Sequence, residues 1–87
     1  MSDEVAIEFP CVFPIKMMGR DSPEFRATAR ALVEKHAGAV PDEAVQAALS
    51  RNGRFVSVTV TITATSRDQL DTIYREVTAH EDVLMAL

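Results

Sequence analysis

FVSVTVTITA, residues 55–64, decides the fold. Apolar residues alternate with hydroxyls at a period of two, the signature of a half-buried strand. Val56, Val58, Val60 and Ile62 share one dry face; Ser57, Thr59, Thr61 and Thr63 share the other. Immediately upstream, RNGR (51–54) reads as a hairpin turn and AVQAALS (44–50) as the strand it pairs with. With Asn52-Gly53 as a two-residue loop, Leu49 faces Val56, Ala47 faces Val58 and Val45 faces Val60. A slip of one residue breaks all three apolar pairs, so turn and pattern specify the same register.

Working outward, FPCVFPIKMMG (9–19) also has period two. Phe9, Cys11, Phe13, Ile15 and Met17 fall on one side, and Val12, Pro14, Lys16 and Met18 on the other. Pro14 predicts a bulge or one missing ladder bond. RDSP then starts a helix: Asp21 or Ser22 caps it, Pro23 occupies the first turn, and Glu24 suits the positive end of the dipole. Phe25, Ala29, Leu32, Val33 and His36 recur at helical spacing. KHAG (35–38) stops the helix, with Gly38 near C′, and residues 39–43 form a loop. Ser66 and Gln69 make a capping box for a second helix carrying Leu70, Ile73, Tyr74 and Val77. VLMAL (83–87) reads as a last strand. The order β-α-β-β-α-β predicts an α+β, ferredoxin-like sandwich: a four-stranded antiparallel sheet, strands 1 and 3 central, with two helices on one face. The hydroxyl face is then left without a cover. Residues 1–8 read as a loose arm and 9–87 as a single domain.

The totals narrow the function classes. At 87 residues there is room for one core. A formal net charge of −4 argues against nucleic-acid binding, which uses a basic stripe. The single cysteine, Cys11, forms no internal disulfide and fits a reducing compartment. No run approaches a membrane span or a signal peptide, so a cytoplasmic location is expected.

FPCVFPIKMMG, SRNGRFVSVTVTITAT, QLDTIYREV and the terminal VLMAL together resemble the YbeD-like family of small bacterial proteins. The match runs over residues 9–87. Its most specific pieces are the FP…K-x-M-G opening and the NG…S-V-T-V-T-I-T-A-T strand. The resemblance implies a ferredoxin-like sandwich similar to the ACT regulatory domains. The usual family label, lipoate-binding regulatory protein, implies lipoate as a ligand but carries neither an established reaction nor a catalytic residue.

Three places are candidates for function. The open sheet face carries Val12, Lys16, Met18, Phe55, Ser57, Thr59, Thr61 and Thr63; its apolar members suggest an interface with a second copy or a protein partner. A lone aromatic, Phe55, is too little for RNA stacking. The second place assumes that both helix N-termini lie at one end of the sheet. Gly19, Arg20, Asp21 and Ser22 would then meet Thr65, Ser66 and Arg67, a setting for a carboxylate such as lipoate or an amino acid. DSPEF resembles the ACT ligand loop D-x-P-G, with Glu24 in the glycine's place; Phe25-Arg26 resembles the end of the acylphosphatase loop, without its glycines. Third, if both helices also finish together, Cys11, His36 and His80 converge as a candidate zinc set, although their spacing matches no metal motif. No metal or cofactor is therefore expected. Arg30–Glu34 and Asp71–Arg75 are i,i+4 pairs of a solvated helix face. The expected function is a non-catalytic regulatory or adaptor module acting through the open face. The alternatives are a carboxylate sensor and, further off, an acylphosphatase-like hydrolase.

Overall fold

The computed structural model describes residues 7–87. Its elements are β1 (Cys11–Arg20), α1 (Pro23–Ala37), a 3-10 turn (Asp42–Ala44), β2 (Val45–Leu49), β3 (Phe55–Ala64), α2 (Arg67–Ala79) and β4 (Met85–Ala86). All strand pairs are antiparallel, in the order β2-β3-β1-β4. This is the ferredoxin-like arrangement expected from the chain order. Of the arm expected over residues 1–8, only Ile7 and Glu8 fall within the described residues; both are exposed and outside regular structure.

The alternation in β3 does what its pattern dictates. Val56, Val58, Val60 and Ile62 are at most 4% exposed and face the helices, joined by Ile15 and Met17 from β1. Phe25, Ala29 and Val33 of α1 and Leu70, Ile73 and Val77 of α2 close the core from above. Leu32, read as part of the same stripe, is only partly buried at its margin.

The hairpin register is the expected one: Leu49 opposite Val56, Ala47 opposite Val58, Val45 opposite Val60. The loop that sets it is longer than two residues. Gly53 N–H donates to the Ser50 carbonyl at 2.9 Å, and Ser50 N–H donates to the Phe55 carbonyl at 2.8 Å. Within this loop only Gly53 takes a positive φ, +77°, whereas the two-residue type I′ loop requires one at Asn52 as well. Asn52 instead turns its side chain inward, where Oδ1 accepts from Ser50 Oγ and Arg54 N–H.

Pro14 causes no bulge, since the β1–β3 register runs unbroken from Cys11–Ala64 to Arg20–Phe55. Lys16, two residues on, exchanges backbone bonds with Leu87, so the missing N–H of Pro14 also faces the β4 side. β4 pairs only with Met17 and Met18 and does not reach it, so Pro14 forfeits no ladder bond.

Ser22 caps α1, its Oγ accepting from Phe25 N–H at 2.9 Å. Ser66 caps α2 through Gln69 N–H at 3.0 Å. The return bond of the expected capping box shifts by one residue: Gln69 Oε1 accepts from Thr65 N–H at 2.7 Å, not from Ser66. Gln69 Nε2 donates to the His36 carbonyl at 3.0 Å, so α2 begins where α1 ends and the helices are antiparallel.

α1 packs on β3 and β1, and α2 on β4, β3 and α1. β2 lies at the margin of the helix layer: Val45 packs against the core, but the helices do not cover the rest of the strand. Its residues Ala47 and Leu49, although on the helix side of the sheet, are exposed, Leu49 by 56%.

Candidate functional site

The pairing of β1 with β3 assembles the open face as expected. Val12 lies opposite Thr63, Lys16 opposite Thr59, Met18 opposite Ser57 and Arg20 opposite Phe55. Gln46 and Ala48 of β2 extend the face beside Thr59 and Ser57. Val12 is 73% exposed; Met18, Phe55, Ser57, Thr59 and Thr61 are half-buried by their strand neighbours. No helix or loop covers this side among the described residues. Met85, 51% exposed, sits opposite Met18 and adds a second methionine to the apolar end of the face. Sequence reading missed it because β4, two residues long, shows no periodicity of its own. Its parity is fixed only by Ala86 turning to the core opposite Met17.

The second candidate site does not assemble. Gly19, Arg20, Asp21 and Ser22 follow the end of β1, and Thr65, Ser66 and Arg67 follow the end of β3. Because these strands are antiparallel, the two groups leave opposite ends of the sheet. Ten residues of β1, at about 3.4 Å each, put them on the order of 30 Å apart.

What surrounds Arg20 is a shallow cleft of about 330 Å³ lined by Arg20, Ser22, Phe25, Glu81, Asp82 and Leu84. Two carboxylates share this cleft with one guanidinium, which disfavours an anionic ligand. The remaining groups are already committed. Asp21 holds Arg26 through Nε at 2.8 Å and Nη2 at 3.3 Å, the hydrogen bond to Asp21 raising the Arg26 pKa. Ser22 is the cap. Gly19 is buried with the Phe25 ring and the Asp82 carbonyl packed against its Cα. Phe25-Arg26, the fragment similar to acylphosphatases, is thus divided between core packing and a surface ion pair.

Cys11, His36 and His80 do not converge either. α1 runs back to the Cys11 end of the sheet and places His36 there. α2 runs the other way and places His80 at the Arg20 end. His80 Nδ1 accepts from Asp82 N–H at 3.1 Å. His36 Nε2 lies 2.8 Å from Glu76 Oε2 across the helix pair, and Lys35 Nζ reaches the other oxygen at 3.2 Å. Hydrogen bonds from Lys35 and then His36 hold the Glu76 carboxyl below the ordinary carboxylate value. Among the described residues, no group of three or more His, Cys, Asp or Glu is placed to hold a metal. Nor is any described helix long and apolar enough to cross a membrane.

Of the helix-face pairs, Arg30–Glu34 forms at 3.4 Å, and Arg30 also reaches Asp42 at 2.8 Å and the Val40 carbonyl at 2.6 Å. Glu34 completes the link by accepting from Val40 N–H at 2.8 Å. These bonds pin the loop between α1 and β2, a structural task.

Comparison with known proteins agrees with this architecture. The family model described as "Protein of unknown function (DUF493)" matches residues 4–87. A UPF0250 protein of Chromobacterium violaceum is 47% identical over 89 aligned residues, covering all of both chains. A UPF0250 protein of Nitrosomonas europaea is 41% identical over 87, again covering all of both. The solution structure of protein HP0495 from H. pylori superposes with a TM-score of 0.79 over 99% of this chain and 90% of that one, at 17% identity. This likeness extends to the fold. By its family match and its full-length relatives, the chain belongs to the DUF493 family, the UPF0250 or YbeD-like proteins.

Proposed function

We infer that the protein is a non-catalytic adaptor module that docks a partner protein on its open sheet face. The observation that carries this reading is a broad sheet surface, uncovered among the described residues, where Ser and Thr run between Val12 at one end and Met18, Met85 and Phe55 at the other. Lys16 is the charge at its middle, opposite Thr59. A partner suited to such a surface is flat and largely uncharged. It gains affinity from covering the methionines, which adapt their shape to what they meet, and specificity from hydrogen bonds to the hydroxyl row. The carboxylate-sensor alternative, lipoate included, has less support: its two halves lie at opposite ends of the sheet and its arginine shares a cleft with Glu81 and Asp82. A hydrolase of acylphosphatase type has neither the glycine cradle nor a free Arg26.

The test is native mass spectrometry of the untagged protein purified from its own cells, beside a Thr59→Arg variant. Arginine at this half-buried central position stands up into any docked surface and leaves the core untouched. The expected result is a defined heteromeric species in the wild type that is lost in the variant at unchanged thermal stability. Recovery of the same species from both, or of protein carrying only a discrete small mass, overturns the reading.

A further inference from the structure

We propose that β2 is a homodimerisation edge. It pairs antiparallel with the β2 of a second copy across a twofold axis at Ala47, joining two sheets into one. This surface is separate from the open face.

The backbone supplies the first argument. Ser50 N–H donates to the Phe55 carbonyl, so Gln46, Ala48 and Ser50 turn their main-chain groups toward β3. By the alternation of an antiparallel ladder, Val45, Ala47 and Leu49 turn theirs outward. The Val45 N–H is taken by the Asp42 carbonyl. Among the described residues, the N–H groups of Ala47 and Leu49, and the carbonyls of all three residues, remain as an open row.

The edge also lacks the devices that normally keep such a row unpaired. VQAAL contains no charge, proline or glycine. On the opposite side of the sheet, Pro14 blunts the part of β1 that β4 leaves open. β2 has no equivalent, and beyond Val45 its residues are exposed.

The sequence then selects a second copy as occupant, because β2 is complementary to itself in one register. With the axis at Ala47, Val45 faces the partner's Leu49 and Ala47 faces the partner's Ala47, apolar against apolar on the helix side. Ala47 N–H donates to the partner's Ala47 carbonyl, and Leu49 N–H to the partner's Val45 carbonyl, each reciprocated by symmetry. Just beyond the strand ends, the 3-10 turn carrying Glu43 and the partner's hairpin loop carrying Arg51 lie at the same end of the seam, acid near base. Neither residue has an ion-pair partner among the described residues. Moving the axis to residue 46 carries Leu49 past the end of the partner's strand, against its 3-10 turn; moving it to residue 48 carries Val45 past the other end, against its hairpin loop. Only the Ala47 register pairs all five residues of the strand, with apolar against apolar on the helix side. It also covers the helix-side Leu49 and Ala47 that the protomer leaves exposed. A five-residue seam is smaller than a standard interface, so the dimer is reversible and concentration-dependent.

Sedimentation equilibrium over a range of concentrations, with thermal unfolding of each variant, tests the proposal. The wild type is expected to show a monomer–dimer equilibrium. Ala47→Pro removes an outward-facing donor and no bond to β3; it is expected to weaken association at least about tenfold without loss of thermal stability. If that variant misfolds, Leu49→Lys serves the same purpose from the side chain. Glu43→Arg and Arg51→Glu should each weaken the dimer, and the double swap should restore it. Thr59→Arg, on the open face, should leave the homodimer intact, which separates failure here from failure of the adaptor reading. A wild type that stays monomeric at every concentration, a dimer indifferent to both Ala47→Pro and Leu49→Lys, or a double swap no better than the single variants overturns the proposal.

Discussion

Gly19 tests whether the end of β1 is shaped by packing or by a ligand. A Cβ built there lies 2.6 Å from the Asp82 carbonyl oxygen, 2.6 Å from Phe25 Cε1 and 2.7 Å from Phe25 Cζ. The glycine has no positive φ, so Gly19→Ala introduces a steric conflict and no backbone strain. Overpacking of this kind costs about 1–3 kcal/mol. The upper end applies, because the Phe25 ring is itself buried and the carbonyl belongs to the backbone. Alanine also narrows the unfolded ensemble, which returns about 0.4–1 kcal/mol. The net loss is about 2 kcal/mol. In urea, with a slope of about 1 kcal/mol per molar for a small domain, the midpoint should fall by about 2 M. Phe25→Leu in the same background should recover part of the loss, since it removes the ring contact but not the carbonyl contact. A Gly19→Ala change below about 0.5 kcal/mol, the level of an ordinary surface substitution, would refute the packing explanation for this glycine.

Ile62→Ala, at a site 4% exposed beneath the helices, should cost about 2–5 kcal/mol, whereas Leu32→Ala at the core margin should cost about 1–2 kcal/mol. Equal losses at the two sites in denaturant melts would mean that the phase of α1 is misassigned. Ser22→Ala removes the acceptor of Phe25 N–H and should cost about 1 kcal/mol, with Ser22→Asp close to wild type; an Asp variant as weak as Ala would count against the cap. Glu76, whose folded pKa is depressed by Lys35 and His36, contributes stability that is present above the ordinary carboxylate pKa. That contribution is lost as the pH falls through the lower folded value. Glu76→Gln should therefore flatten the fall in urea midpoint as the pH drops through and below the ordinary carboxylate range, and identical pH profiles for the two proteins would remove the carboxylate from the acid response.

Much of this fold can be read from residues 44–64 alone. The Val and Ile alternation, paired across Leu49, Ala47 and Val45, leaves a single register, and that register survives a loop of a different type because Ser50 and Phe55 pair in both. The clustering expected of Gly19–Ser22 with Thr65–Arg67, and of His80 with Cys11, fails for a reason implicit in the same topology. β1 and β3 are antiparallel and each leads into a helix, so the helices must start at opposite ends. The exposure of Leu49 and Ala47 was not legible. Their pattern is that of buried positions, and only the seating of α1 over β3 and β1 leaves them uncovered. Met85 stayed hidden for want of neighbours at period two.

Gln69 has a consequence for how the molecule breathes. One amide side chain donates to the carbonyl of His36, in the last turn of α1, and accepts from the N–H of Thr65, just ahead of α2. Helix ends fray independently when each is satisfied by its own cap or by water. Here each end keeps its own cap but the two also share the Gln69 amide, so opening of either end costs a bond that ties it to the other and the two openings are coupled. Their amides should exchange with solvent deuterium as a group, at a common free energy above that of an isolated helix end, and Gln69→Ala should split the group in two.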